Sequence, residues 1–273
     1  NLRNFDAFNF SLTIISSGGF LSINNFDNLF VTNISKIVLS IAILFSYFSL
    51  FFTYNLFFFK KRNINYLSED FYLVIYLFIV ISFIFVFFNF DNNFLNILVS
   101  IVSSVSNLGI SFNNTPNNLS FIFLILVIIG GSFFSTSSGL RVIKVLSLIK
   151  FSLNNLLSHA KPNQIYLNKV SLTKTNTNID DINKYFLTII IFTISLFSIT
   201  LLLAFSNIEL EKAFKLGILT IMNTVNSQMY GVADFDFYNV SNFAKFTLIT
   251  FMIIGRIELL TLFILFKKFL FKN

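Results

Sequence analysis

The sequence predicts an all-α integral membrane protein built from repeated units in which a short helix enters the membrane, turns, and is followed by a long helix. Three observations carry that expectation. The 273 residues are 55% hydrophobic and only 11% charged, with a mean hydropathy of +0.80, a balance foreign to soluble domains of this size. Several apolar runs approach the roughly 20 residues that a helix needs to cross a hydrocarbon core. Three others are about half as long and end on turn-forming residues.

Phe5–Ile15 is the first short run and leads into Ser16-Ser17-Gly18-Gly19-Phe20. At 1.5 Å per residue it spans about 16 Å, half of a ~30 Å core. Backbone that halts there must be buried in protein or line a wet cavity. Glycines allow it to turn and aim carbonyl oxygens at a passing cation. The same plan recurs in Phe94–Ser106, ending at Asn107-Leu108-Gly109, and in Leu210–Met222, ending at Asn223-Thr224-Val225. Between them lie five runs of spanning character: Ile37–Phe59, Phe71–Phe88, Leu119–Phe151 with an interruption at Gly130–Gly139, Tyr185–Phe205 and Ala244–Phe266. Asn154–Asp181 is polar, contains Lys161-Pro162-Asn163, and reads as a flexible cytoplasmic connection.

Basic residues orient the chain. Thirteen of the nineteen fall in three clusters, at Lys60–Arg62, from Arg141 to Lys184, and at Lys267–Lys272. These ends are cytoplasmic, and the short runs therefore enter from outside. Spacing shows an internal repeat: Gly18 lies 42 residues before Lys60, Gly109 lies 41 before Lys150, and Val225 lies 42 before Lys267. Spanning helices start 38 residues before Gly109 and 40 before Val225, at Phe71 and Tyr185. The units are thus 1–62 (partial), 63–152 with the broken long helix, a connection over 153–184, and 185–273. The first residue is Asn1 and the first unit has no leading helix, so the reading is of a chain that lacks an N-terminal unit.

Other chemistry finds no support. Without cysteine there are no disulfides, thiolate metal sites or thiol nucleophiles. His159 stands alone in the polar connection, Asp180-Asp181 reads as solvated charge, and no nucleophile–base set or phosphate-binding glycine loop is present. The chain is therefore not expected to be an enzyme or to hold a cofactor. Its net charge of +7 reflects membrane topology, with lipid rather than nucleic acid as the surrounding partner. Arg256 lies near 18 Å into the last helix, where a charge faces a cavity or a partner. Glu258, two residues on, is on another face.

These motifs resemble the membrane subunit of Trk/Ktr-type potassium uptake systems. Ser16, Ser17, Gly18 and Gly19 resemble the family's second filter, and Asn107, Leu108 and Gly109 the third. Asn223, Thr224 and Val225 occupy the fourth. Gly130-Gly131 followed by Ser135-Thr136-Ser137-Ser138-Gly139-Leu140-Arg141 resembles the broken inner helix whose loop gates the pore, and Ile254–Leu262 resembles the C-terminal signature. The resemblance implies a four-unit fold with its first unit missing here, K⁺ as transported ion, Arg256 as a positive barrier below the filter, and a location in the bacterial cytoplasmic membrane. It also implies a homodimer and a cytosolic nucleotide-binding ring subunit (TrkA-like) as regulator. Val225 stands at a filter glycine, and a β-branched residue resists φ > 0, so a carbonyl turned from the axis is expected. Phe134, Ser137 and Ser138 stand where the gate loop has glycines, so a stiffer loop is expected. Two alternatives remain. One is a degenerate, non-conducting or Na⁺-permeable relative acting as a scaffold. The other is a hydrophobic subunit of a redox or proton-pumping enzyme, which would need an intramembrane relay of ionisable residues, whereas only Arg256 and Glu258 are expected at mid-membrane.

Overall fold

A computed structural model describes residues 3–20, 29–58, 67–87, 94–112, 116–132, 134–160, 179–232 and 235–256. Its helices are α1 (Asn4–Ser16), α2 (Asn33–Tyr47), α3 (Leu50–Phe58), α4 (Leu67–Phe87), α5 (Phe94–Val105), α6 (Ser120–Ile128), α7 (Val142–Ala160), α8 (Ile179–Ala204), α9 (Leu210–Ile221) and α10 (Asn242–Arg256). Two short strands, β1 (Ile129–Gly130) and β2 (Leu140–Arg141), pair in parallel.

The three short helices fall where the sequence places them. α5 packs between α2 and α6, α9 packs against α6, α8 and α10, and α1 leans on α2. Short helices and long helices therefore alternate around a common centre. α5 is buried along nearly its whole length, and its serines satisfy themselves within the helix. Ser100 Oγ donates to the Asn96 carbonyl at 2.9 Å, and Ser104 Oγ to the Ser100 carbonyl at 2.8 Å. A hydroxyl in an apolar interior needs such a partner. The core around it is built from Tyr47, Ile97, Ile101, Val105, Phe123, Val127 and Ile199, each fully buried.

Among the described residues, two helices are long and apolar enough to cross a membrane, Glu69–Phe87 and Asp180–Ala204. Only 17% and 39% of those windows are buried inside the protein. A core helix of a soluble protein would be mostly covered, so these apolar faces call for lipid.

Two expectations are corrected. Ile37–Phe59 is not one helix: it starts at Asn33 and breaks at Phe48–Ser49 into α2 and α3. Asp70 of α4 causes the break to persist, accepting the Ser49 backbone N–H at 2.9 Å and its hydroxyl at 2.5 Å. The freed Tyr47 carbonyl accepts the Ser132 N–H at 3.2 Å. The polar connection also begins later than Asn154, because α7 runs on to Ala160. Leu153, Leu156 and Leu157 give that stretch an apolar face at helical spacing, and they stand exposed. Leu119–Phe151 is interrupted as expected, by the segment between β1 and β2. Of Ala244–Phe266 only the part up to Arg256 is described, and Glu258 lies outside the described residues.

Close helix approach rests on small residues. A Cβ on Gly255 would run into the Ile221 carbonyl oxygen, a backbone atom that cannot turn aside, whereas one on Gly217 would meet side chains alone, the nearest being the Ile199 Cγ2 at 3.0 Å. Gly255→Ala should therefore cost about 1–3 kcal/mol of overpacking and Gly217→Ala clearly less. Thermal melting of the detergent-solubilised variants orders the two, and equal melting temperatures would contradict this packing.

Candidate functional site: three carbonyl turns above a cationic chamber

Each short helix ends in the same way. At α1, Ser17 turns left-handed with φ 51°, its N–H bonding to the Ile14 carbonyl and the Gly18 N–H to the Thr13 carbonyl. At α5, Asn107 has φ 61°, with the Asn107 N–H on the Ser104 carbonyl and the Leu108 N–H on that of Ser103. At α9, Asn223 has φ 51°, with the Asn223 and Thr224 N–H groups on the Thr220 and Leu219 carbonyls. Asparagine visits this region more readily than other non-glycine residues, which explains two of the three positions.

These bonds set the register. Ser17, Asn107 and Asn223 are equivalent; so are Gly18, Leu108 and Thr224; and so are Gly19, Gly109 and Val225. The sequence spacing had aligned Gly18 with Gly109, one residue out. Ser16 is correspondingly the last residue of α1 rather than a member of the turn. Sequence could not fix this, because Gly18 and Gly19 are adjacent and either suits a tight turn.

The turns meet. A Cβ on Gly19, whose φ is +71°, would strike the Leu108 carbonyl oxygen and lie 2.7 Å from Val225 Cγ2. A Cβ on Gly109, whose φ is +83°, would strike the Val225 carbonyl oxygen and lie 3.1 Å from Thr224 Cγ2. Val225 shares no positive φ with its two equivalents, as its β-branch predicts. It touches both other turns, with its isopropyl group toward Gly19 and its backbone toward Gly109.

Beneath the turns lies a chamber of about 300 Å³, lined by Ser135–Arg141, Lys144, Thr188, Phe192, Ile221, Met222, Gly255 and Arg256. Three cationic side chains and no carboxylate are among these lining residues. The segment between β1 and β2 forms one wall. Ser135 Oγ donates to the Ser132 carbonyl and shares a hydrogen bond with Ser137 Oγ, both at 2.9 Å, and Ser137 Oγ accepts the Gly131 N–H at 2.9 Å. Gly139, at φ +100°, turns the chain back against Gly130. Arg256 lines the chamber and reaches out of it: its Nη1 lies 3.3 Å from Ser138 Oγ and its Nη2 donates to the Ser16 carbonyl at 3.2 Å. It thus ties α10 to both the segment and the end of α1.

The sequence reading missed Arg141. Counted there as a topology charge, it donates through Nη1 to the Ser132 carbonyl at 2.6 Å, Ser135 Oγ at 3.0 Å and the Ser137 carbonyl at 3.2 Å. Its place directly after a serine-rich interruption was the available signal. Asp6, Glu69, Asp70 and Lys144 are also buried in the protein.

A second cavity, of about 820 Å³, opens between the α1 turn and the α9–α10 pair, with Phe20, Leu216, Leu219, Leu248, Ile249 and Met252 among its walls. At the outer end of α9, Lys212 and Lys215 pair with Glu209 and Glu211 at 3.2 and 2.6 Å. The Lys215 hydrogen bond, with the ammonium charge behind it, holds the Glu211 carboxyl below its usual range.

The architecture is all-helical, with three half-length helices whose C-terminal turns meet one another. Comparison with solved structures agrees: the chain superposes on the potassium transporter TrkH from Vibrio parahaemolyticus with a TM-score of 0.81 at 21% identity, over 97% of this chain and 58% of that one. At that identity the likeness shows the fold, and the chain spans under two thirds of the length of TrkH. No family model matches the chain, and no curated protein matches it in sequence.

The corrected register is testable. Gly19→Ala meets backbone at a left-handed φ, whereas a Cβ on Gly18 would meet only the Ser16 Oγ at 3.1 Å. Gly19→Ala should lower folded yield or melting temperature by an amount matching about 2 kcal/mol or more, and Gly18→Ala by less than half of that. The reverse order would restore the alignment of Gly18 with Gly109.

Proposed function

We propose that this chain carries K⁺ across the cytoplasmic membrane, with Ser17–Gly19, Asn107–Gly109 and Asn223–Val225 as three walls of its selectivity filter. One observation carries the reading: three half-length helices end in left-handed turns with the same backbone hydrogen-bond pattern, and these turns meet one another above a chamber lined by Arg256. Helix C-termini present partial negative charge to that centre, and carbonyl turns of this kind replace a cation's hydration shell. The fold likeness to a potassium transporter supports it.

On this reading the structure is a closed state. Arg256, Arg141 and Lys144 make the chamber below the filter positive, which opposes a cation, and Ser135, Thr136, Ser137, Ser138 and Gly139 form the gate. No catalytic group is invoked; K⁺ is cargo, held by backbone oxygens rather than by a side-chain metal site. A ring of four walls needs another unit at the open 820 Å³ cavity between the α1 turn and α10. Assembly as a homodimer with a cytosolic nucleotide-binding ring belongs to the same proposal and rests on the family resemblance.

The test is cation uptake by potassium-transport-deficient cells expressing the intact gene product. Gly109→Asp should abolish uptake while the protein still inserts, because Gly109 packs against the Val225 backbone and a carboxylate there fills the centre. Arg256→Ala should raise flux several-fold. Normal uptake by Gly109→Asp would sink the assignment.

A second reading is favoured by a specific feature. Val225 packs an isopropyl group against Gly19 where its equivalents are glycines, as a relative that no longer conducts, or conducts Na⁺ as well, would permit. Val225→Gly should raise the K⁺ over Na⁺ permeability ratio several-fold if the filter conducts. An unchanged ratio would mean that this residue does not shape the ion path.

A further inference from the structure

We propose that Thr136 is a positioning residue of the Ser17 turn, supplying from the gate segment a brace that the other two turns make for themselves. In two of the three turns the left-handed residue uses its side chain to reach the long helix that follows it. Asn223 Nδ2 donates to the Met252 carbonyl at 3.0 Å, and Asn107 Nδ2 to the Val127 carbonyl at 3.1 Å and also to the Met222 carbonyl at 3.3 Å. The Met252 and Val127 bonds each tie a carbonyl turn to the helix behind it. Ser17 sits at the same place, and its counterpart of Met252 is Ser46, 29 residues on in both units. A serine side chain is one bond shorter than the asparagine amide and makes no such bond here. Thr136 stands between the two instead: its Oγ1 is 3.2 Å from Ser17 Oγ and donates to the Ser46 carbonyl at 3.3 Å.

The proton count fixes the direction. A hydroxyl has one hydrogen. Thr136 spends its own on the Ser46 carbonyl, so Ser17 donates to Thr136 Oγ1. The chain runs from Ser17 through Thr136 to α2, and it is broken by any movement of the gate segment away from α2. Arg256 makes the parallel connection one residue earlier, from Ser138 to the Ser16 carbonyl. Of the three turns, the Ser17 turn alone among those described is braced by the segment that would have to move for the chamber to open. Gate position and the geometry of this one turn are therefore coupled, and the Asn107 and Asn223 turns keep their braces whichever way the segment lies.

The experiment is hydrogen–deuterium exchange on the intact gene product in lipid nanodiscs, with K⁺ and Na⁺ permeability measured on the same proteins in vesicles. Thr136→Val keeps the shape and removes the hydroxyl. It should speed exchange of the Ser17 and Gly18 amides, which bond to the Ile14 and Thr13 carbonyls, about five- to tenfold, the loss of one net hydrogen bond, and leave the Asn107 and Asn223 turns unchanged. Thr136→Ser should retain slow exchange. Adding Ser17→Asn to Thr136→Ala, which also clears the space between them, should restore slow exchange, because the longer amide reaches the Ser46 carbonyl as Asn223 reaches Met252, and because asparagine suits the left-handed turn. Unchanged exchange in Thr136→Val, uniform loss of protection over all three turns, or a double variant that is not restored would each overturn the proposal. The exchange arm is independent of transport. The permeability arm rests on the proposed function: the K⁺ over Na⁺ ratio should fall in Thr136→Val and recover in the double variant. If the exchange pattern holds while no protein, wild type included, moves cations, the brace stands and the transport reading falls.

Discussion

A helix that stops halfway through a hydrocarbon layer leaves its last carbonyls with neither helix nor water to bond, and each unsatisfied group there costs several kcal/mol. Everything else in this structure follows from how that cost is met three times. The left-handed residue closing α1, α5 and α9 returns two N–H groups to the last turn of the helix, in the manner of a Schellman cap. That settles part of the debt and swings the next carbonyls out of helical register. Those carbonyls meet at a point because the helices themselves are wedged between long helices, α5 between α2 and α6 and α9 between α6 and α10.

The same demand explains why the long helices are broken beneath the turns. A continuous α2–α3 would bury Asp70 with nothing to hold it, and a buried carboxylate requires donors. The break at Phe48–Ser49 supplies two from Ser49. It also frees the Tyr47 carbonyl for Ser132 and the Leu50 N–H for the Phe134 carbonyl at 3.2 Å. The interrupted α6–α7 helix is thus stitched to an interrupted α2–α3 helix, with Arg141 gathering three oxygens of the segment on its other side. Irregular backbone at this depth survives because each break provides partners for the other.

The repeat was legible in the sequence because its physical cause is linear: helix length, the turn residues after it and the spacing to a basic cluster are all local quantities. Boundaries of α5 and α9 followed from the apolar runs to within a residue. What escaped depends on contacts between units. Asp70 reads as an ordinary polar residue at the start of a span until Ser49 is seen beside it. Arg141 reads as a charge marking the cytoplasmic side. The offset between Gly18 and Gly19 needs backbone hydrogen bonds to resolve, since spacing to Lys60 tolerates one residue either way. For Val225, sequence reasoning gave the right consequence, a residue without positive φ, but not that its side chain lies against Gly19.

On the proposed reading, the electrostatics follow from two charge sets facing one another. Three helix C-termini contribute roughly half a negative charge each, and the chamber beneath holds Arg141, Lys144 and Arg256. Arg256 donates to the Ser16 carbonyl, an oxygen at the lower edge of the turns, so a guanidinium occupies a position that a bound cation would otherwise share. Two unit charges about 5 Å apart at an effective dielectric of 20 repel by about 3 kcal/mol, enough to lower occupancy of the nearest cation position by roughly a hundredfold. A cation in the turns and Arg256 at Ser16 therefore disfavour each other. Moving the arginine requires breaking its contact with Ser138, which lies two residues from Thr136 in the same segment. On the proposed reading, charge and the brace on the Ser17 turn both converge on one stretch of ten residues between Gly130 and Gly139. The two glycines at its ends, packed against one another, let that stretch leave and rejoin the helix at a single point.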